Sequence, residues 1–250
     1  MGGIPGRAPH QRPGSWWGHT GAMVLGGDDM LDSGFVVQAP HMLLPELRAD
    51  LTEARPGDLV AGGLNEQLRI RADLVAGLDL RDSRFLEVLW DGADLDGTQL
   101  AGSRIIDSWL RRVTCPTLDA FETAWRAVAV EECRMGAVEL HRSDLQGVEF
   151  ANCRFDYVNL RGASLADVRL RNCTIEELDL SFASVERVQL GNCTIGRLSV
   201  GRATVSNLDL RQATIAEVDD VGALAGSIIS RMQVIQLSAA MAARLGIDVA

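Results

Sequence analysis

Residues 143–200 read SDLQGVEFANCRFDYVNLRGASLADVRLRNCTIEELDLSFASVERVQLGNCTIGRLSV, and a large apolar side chain falls on every fifth position. The series is Leu145, Phe150, Phe155, Leu160, Leu165, Leu170, Ile175, Leu180, Val185, Leu190, Ile195 and Val200. Followed outward, it reaches back to Leu80 and forward to Ile215, broken only by the smaller Cys115 and Ala120. A period of five suits neither an α-helix nor a flat strand, so the chain must coil. Internal repetition of this kind decides the architecture first.

A second, longer period sits two residues before the first. Cys133, Cys153, Cys173 and Cys193 recur every twenty residues, and Ser143, Ala163, Ala183 and Ala203 recur ten residues out of step with them. Val138, Val158, Leu178 and Leu198, then Val148, Val168, Val188 and Leu208, fill the places between. Twenty residues therefore make one four-sided turn. Two opposite sides carry small inward residues and two carry branched ones, an alternation that closes the interior without voids or clashes. The remaining pentad positions are mostly polar and read as the outside.

Ala72-Asp73-Leu74, Leu78-Asp79-Leu80, Ala93-Asp94-Leu95, Ser143-Asp144-Leu145, Val158-Asn159-Leu160, Leu178-Asp179-Leu180 and Leu208-Asp209-Leu210 share an Asp or Asn followed by Leu, after an Ala, Ser, Val or Leu. On these motifs the chain resembles the pentapeptide-repeat family over about residues 72–218. The resemblance implies an all-β solenoid: a right-handed quadrilateral β-helix with one coil per four pentads. The 28 centres from Leu80 to Ile215 would give seven coils. At an inter-strand spacing of ~4.8 Å that is a rod roughly 34 Å long.

The ends differ from the middle. After Ile215 the rhythm fades, with Asp220 where an apolar residue is due, and Leu224 and Ile228 or Ile229 suit one last partial coil. Ser230 and Gln233 then form a capping-box signature. Val234, Leu237, Met241 and Leu245 follow as one apolar helical stripe, with Gly246 as terminator. The expectation is a C-terminal α-helix over 231–245, either a lid on the last coil or a dimerisation helix. The family resemblance supports the second role, since some members pair through their C-terminal ends.

At the other end Ala72-Asp73-Leu74 is one residue out of phase with Leu78-Asp79-Leu80, which suggests a bulge or corner insertion near Ala76-Gly77. Residues 41–55, with Leu47 and Leu51 one turn apart, suggest a short helix. Residues 1–38 are rich in Gly and Pro around a lone Trp16-Trp17 pair and read as a disordered tail; Met23 or Met30 is a candidate true start. The resulting division is a tail over 1–38, an N-terminal cap segment over 39–71, the β-helix over 72–220 and a C-terminal segment over 221–250.

The four histidines, His10, His19, His41 and His141, are scattered, and no phosphate loop, nucleophile elbow or metal motif is read. The cysteine column reads as small apolar filler, because ligands in a row cannot converge on one ion. Asn152, Asn172, Asn192 and Gln212 read as a stacked amide column at a corner, and Thr174, Thr194 and Thr214 as an outward strand column. Neither an enzyme nor a cofactor is expected. No signal peptide and no membrane span are read, so the expected location is cytoplasmic.

Outward apolar residues carry more information, because the repeat calls for polar ones there. Leu86 and Ile106, and beside them Leu89 and Trp109 with Ala129, form a patch near the N-terminal end. Either the segment around 41–68 folds back over it or another protein docks there. The function expected is a non-catalytic interaction or structural module whose partner is an unidentified protein, or a second copy through the C-terminal helix. The resemblance adds an alternative, since some pentapeptide-repeat proteins mimic duplex DNA and bind type II topoisomerases. The net charge is −10, and over residues 71–220 acidic residues outnumber basic ones by eight. That balance argues against direct nucleic-acid binding. Interleaved Arg keeps the surface far less charged than a duplex.

Overall fold

The pentads wind into stacked coils in the computed structural model, which describes residues 38–46 and 48–249. Each coil places the side chains of its four pentad centres inside and hydrogen-bonds its backbone to the coils above and below. The register is twenty residues and unbroken along the column Leu64, Arg84, Arg104, Ala124, Asp144, Ser164, Ser184 and Thr204. All pairings are parallel, in one sheet of twelve strands and one of six. The architecture is the right-handed four-sided β-helix of about nine turns.

The centres fill the tube, and Leu80, Phe85, Trp90, Trp125, Phe155 and Leu165 are all buried. The rings of Phe85 and Trp90 meet at 5.0 Å, and those of Phe150 and Phe155 meet edge-on at 6.0 Å. The cysteines point inward as the small-residue side. Cys133, Cys153 and Cys173 lie with Sγ 3.4–3.5 Å from the carbonyls of Leu110, Val130 and Phe150 on the preceding coil. Burial pushes the Cys115 thiol up to about 12. The chain turns corners through left-handed residues, where Gly or an Asx side chain costs least. Asn152, Asn172 and Asn192 occupy one such column at φ 56°, 54° and 53°, and the Asn172 amide donates to Asn152 Oδ1 at 3.1 Å.

Two features of the N-terminal end differ from the sequence reading. Coiling starts upstream of residue 72, because Leu64–Glu66 and Leu68–Arg71 pair with Arg84–Leu86 and Leu89–Asp91. Nor is there an insertion at Ala76-Gly77. Ile70, Val75 and Leu80 are all buried, so Val75 is the centre and the register holds. The out-of-phase Ala72–Leu74 motif forms a 3₁₀ turn instead, with Leu74 only partly buried.

The expected helix over 41–55 is also absent from the described residues, which are extended there. Pro40 and Pro45 are both buried against the rod, and the carbonyl of Pro45 accepts a side-chain hydrogen bond. An extended segment can lay these residues along the wall, whereas a helix of ten residues would reach only about 15 Å. The expected tail lies outside the described residues up to residue 37.

At the other end Ser227–Ile228 closes a partial coil on Leu208–Asp209. Helix α1 (Arg231–Arg244) follows, with both arms of the capping box formed by Ser230 and Gln233. Gly246 beyond it has φ 73°. No helix among the described residues is long and apolar enough to cross a membrane.

Candidate interaction surfaces

The structure brings the sequence-predicted patch together. Leu86 stands beside Ile106 on the next coil, and Leu89 beside Trp109 and then Ala129. Leu89 is only 2% exposed, whereas Leu86, Ile106 and Trp109 are half-buried. What lies along this wall is residues 38–46 and 48–51, an extended strap that runs parallel to the rod axis.

Four contacts fix the strap's course. The Gln38 N–H donates to Asn207 Oδ1 at 3.2 Å, and the His41 N–H donates to Asp167 Oδ1 at 2.8 Å. The Trp109 indole N–H donates to the Pro45 carbonyl at 3.1 Å, and Arg48 Nη1 meets Glu87 Oε2 at 2.9 Å. Asn207, Asp167 and Glu87 belong to one corner column, so Gln38 to Arg48 crosses six coils. Six coils rise ~29 Å, which ten extended residues cover. Thr52–Glu53 then pairs with Leu68–Arg69 and hands the chain to the first coils.

Charge under the strap is paired. Burial works to raise the Asp167 carboxyl, but Arg187, at 2.7 and 2.9 Å, and the His41 N–H outweigh it and hold it below the usual range. Glu149, 5% exposed on the same wall, lies 3.4 Å from Arg169 and 3.3 Å from Arg171. Among the described residues no cluster of three His, Cys, Asp or Glu side chains could hold a metal ion.

The C-terminal stripe divides. Leu237 packs against the core and Met241 is half-buried, while Val234 and Leu245 are 46% and 76% exposed. Gln233 does the capping that an apolar residue was expected to do. It is buried, and its Nε2 donates to the carbonyls of Leu210 at 2.7 Å and Ala213 at 2.8 Å. Met232, Ile235, Ile247 and Val249 join the exposed set.

A third surface, around Phe182, was not singled out from the sequence. Phe182 lies at a corner with Arg161 Cζ 4.4 Å and Arg202 Cζ 5.4 Å from its ring centroid. Two and three coils below, His141 and Phe121 stack at 5.0 Å. The signal was available, since Arg202 is twenty residues from Phe182 and Arg161 is twenty-one.

Comparison with known proteins agrees with these coils. Residues 123–200 match the model of the pentapeptide repeat region, and the flanking coils continue its register. Among solved structures it is similar to a trypsin-treated variant of QnrB1, described as a plasmid-mediated fluoroquinolone resistance protein. That match has 17% identity over 77% of this chain and 99% of the other, with a TM-score of 0.38. It is also similar to HetL of the cyanobacterium Nostoc sp. strain PCC 7120, described as involved in heterocyst differentiation regulation. There the identity is 14% over 65% and 92% of the two chains, with a TM-score of 0.23. Likeness at these scores carries no argument about activity. No curated protein matches the chain.

Proposed function

We propose that this chain is a non-catalytic, cytoplasmic interaction module in which a rigid β-helix presents surfaces to another protein, a second copy included. One observation carries the reading. Met232, Val234, Ile235, Leu245, Ile247 and Val249 are all well exposed at the C-terminal end, in a chain that elsewhere buries its large apolar side chains with few exceptions. Apolar surface concentrated in this way marks a contact site. The coils add to it, because walls fixed by parallel ladders lose little entropy on docking. Five unpaired thiols accord with a reducing compartment.

Self-association through this end is the first contact to test. Sedimentation velocity of the full chain should show a dimer, and Ile235→Asp with Leu245→Asp should return it to a monomer with an unchanged circular dichroism spectrum. A wild-type monomer at 100 μM would remove the self-partner. The alternative reading, a DNA mimic that binds a type II topoisomerase, has the net charge in its favour. The walls speak against it, since arginines are paired with their carboxylates, as in Arg154–Glu176, Arg169–Glu149 and Arg197–Glu217. Inhibition of gyrase supercoiling at tens of micromolar would revive it.

A further inference from the structure

The Phe182 corner joins three features that a purely structural repeat does not need together. Its backbone is left-handed, at φ 61°, in a corner column shared with Gly62, Asp82, Gly102, Glu122, Arg142, Gly162 and Arg202, and Phe182 is the one aromatic among the described left-handed residues. A bulky aromatic is among the least favourable residues for that conformation, and such costs concentrate at functional sites. The ring is nevertheless 46% exposed.

The second feature is space. Gly162, one coil below, has no side chain, and its absence opens a notch between Arg142 and Phe182. The resulting open cavity of about 480 Å³ is lined by His141, Arg142, Asn159, Arg161, Gly162 and Phe182. Two coil steps separate Arg142 from Phe182, about 9.6 Å, which is room for one flat group between them.

The third is charge. Carboxylates around the site are already engaged: Glu122 holds Arg142 at 2.6 Å, Glu139 accepts from Asn159 at 2.7 Å, and Asp179 accepts the Ser181 N–H at 2.7 Å. Arg161 and Arg202 have no carboxylate within ion-pair distance among the described residues, and both lie against the Phe182 ring. Two unneutralised cations around an exposed aromatic favour an occupant that is anionic and carries a flat or apolar group. Arg and aromatic side chains are also the residues that dominate interface energies.

We infer that the Phe182–Arg161–Arg202 corner is a docking site for an acidic peptide segment of a partner protein. One aromatic side chain of that segment enters the notch over Gly162, and its flanking carboxylates meet Arg161 and Arg202. This rests on the reading of the chain as an interaction module and names a partner chemistry for it. A basic partner is the wrong sign here. The chain's overall charge of −10 works against nucleic acid, whose long polyanion feels the whole surface, more than against a short peptide.

The test uses the full chain and a fluorescein-labelled Glu-Glu-Trp-Glu-Glu peptide, read by anisotropy. Saturable binding below about 1 mM is expected, at least tenfold weaker with Phe182→Asn and with Arg161→Glu, and weaker as salt rises from 50 to 500 mM. Because Asn suits a left-handed corner, Phe182→Asn should keep or raise the melting temperature while binding is lost. A marked fall in melting temperature would make Phe182 structural and overturn the proposal. So would no saturation at 1 mM, equal affinity for the Phe182→Asn protein, equal binding of a pentaglutamate peptide, or tighter binding of oligothymidylate. The self-association assay at the C-terminal end decides the broader reading independently of these outcomes.

Discussion

Replacing Trp109 with Ser should free the strap without unwinding the coils. Trp109 gives its indole N–H to the Pro45 carbonyl and is half-buried beneath the strap. A fully buried Trp removes 150–250 Å² from water, so half-burial is about 100 Å², or roughly 2.5 kcal/mol at 25 cal/mol per Å². The lost hydrogen bond adds little, because the Pro45 carbonyl can turn to water once the strap lifts. Some of this contact is with Arg111, whose guanidinium lies 5.6 Å from the ring and stays in place. About 2 kcal/mol is left for the strap, a 30-fold shift in its opening equilibrium. The assay is amide hydrogen exchange. The His41 N–H, bonded to Asp167, should exchange roughly 30-fold faster in Trp109→Ser, while core amides such as Leu160 and Leu180 keep their protection. Unchanged exchange at His41 would refute the strap's dependence on Trp109. Equal acceleration in the core would show that Trp109 supports the coils themselves.

Acid should also release the strap. The folded pKa of Asp167 is depressed, so its stabilisation is present above the unfolded value and is lost as pH falls through the folded one; His41 protection should drop below about pH 4, and Asp167→Asn should abolish that pH dependence. Gly196→Ala should destabilise by about 2 kcal/mol in urea unfolding, because a Cβ there would sit 2.5 Å from the Glu176 carbonyl oxygen of the preceding coil. A cost below about 0.5 kcal/mol would mean that the coils are looser there than drawn. The five thiols should be inert to an aromatic disulfide reagent at pH 8 in the native chain and react together on unfolding, since all are buried. Fast labelling of Cys153 or Cys173 would mean that the interior opens.

The coils from Leu80 onward were legible because a closed square tube allows only two inward positions in five, and a slip of one residue would turn every centre outward. Upstream the same rhythm continues through Ile70 and Val75, but it is masked by polar Asn65 at a buried centre position and by the decoy Ala72-Asp73-Leu74. The capping box was legible because its two partners are three residues apart. Gln233 capping the last coil was not, because its acceptors, the carbonyls of Leu210 and Ala213, are backbone atoms that carry no sequence signature. The strap was hidden for a related reason. Its apolar residues fit a helix or an extended chain equally, and only the assembled wall of Asn207, Asp167, Trp109 and Glu87 selects the extended form. The Phe182 corner needed a comparison twenty residues either way, which an inspection of single residues does not make.

Pulsed electron spin resonance between labels at exposed positions 84 and 204 tests the winding most directly. These residues share a column six coils apart, so the distance should centre near 29 Å, with a few Å added by the labels, in one narrow distribution. A broad distribution, or a centre beyond about 45 Å, would mean that the pentads do not stack in this register.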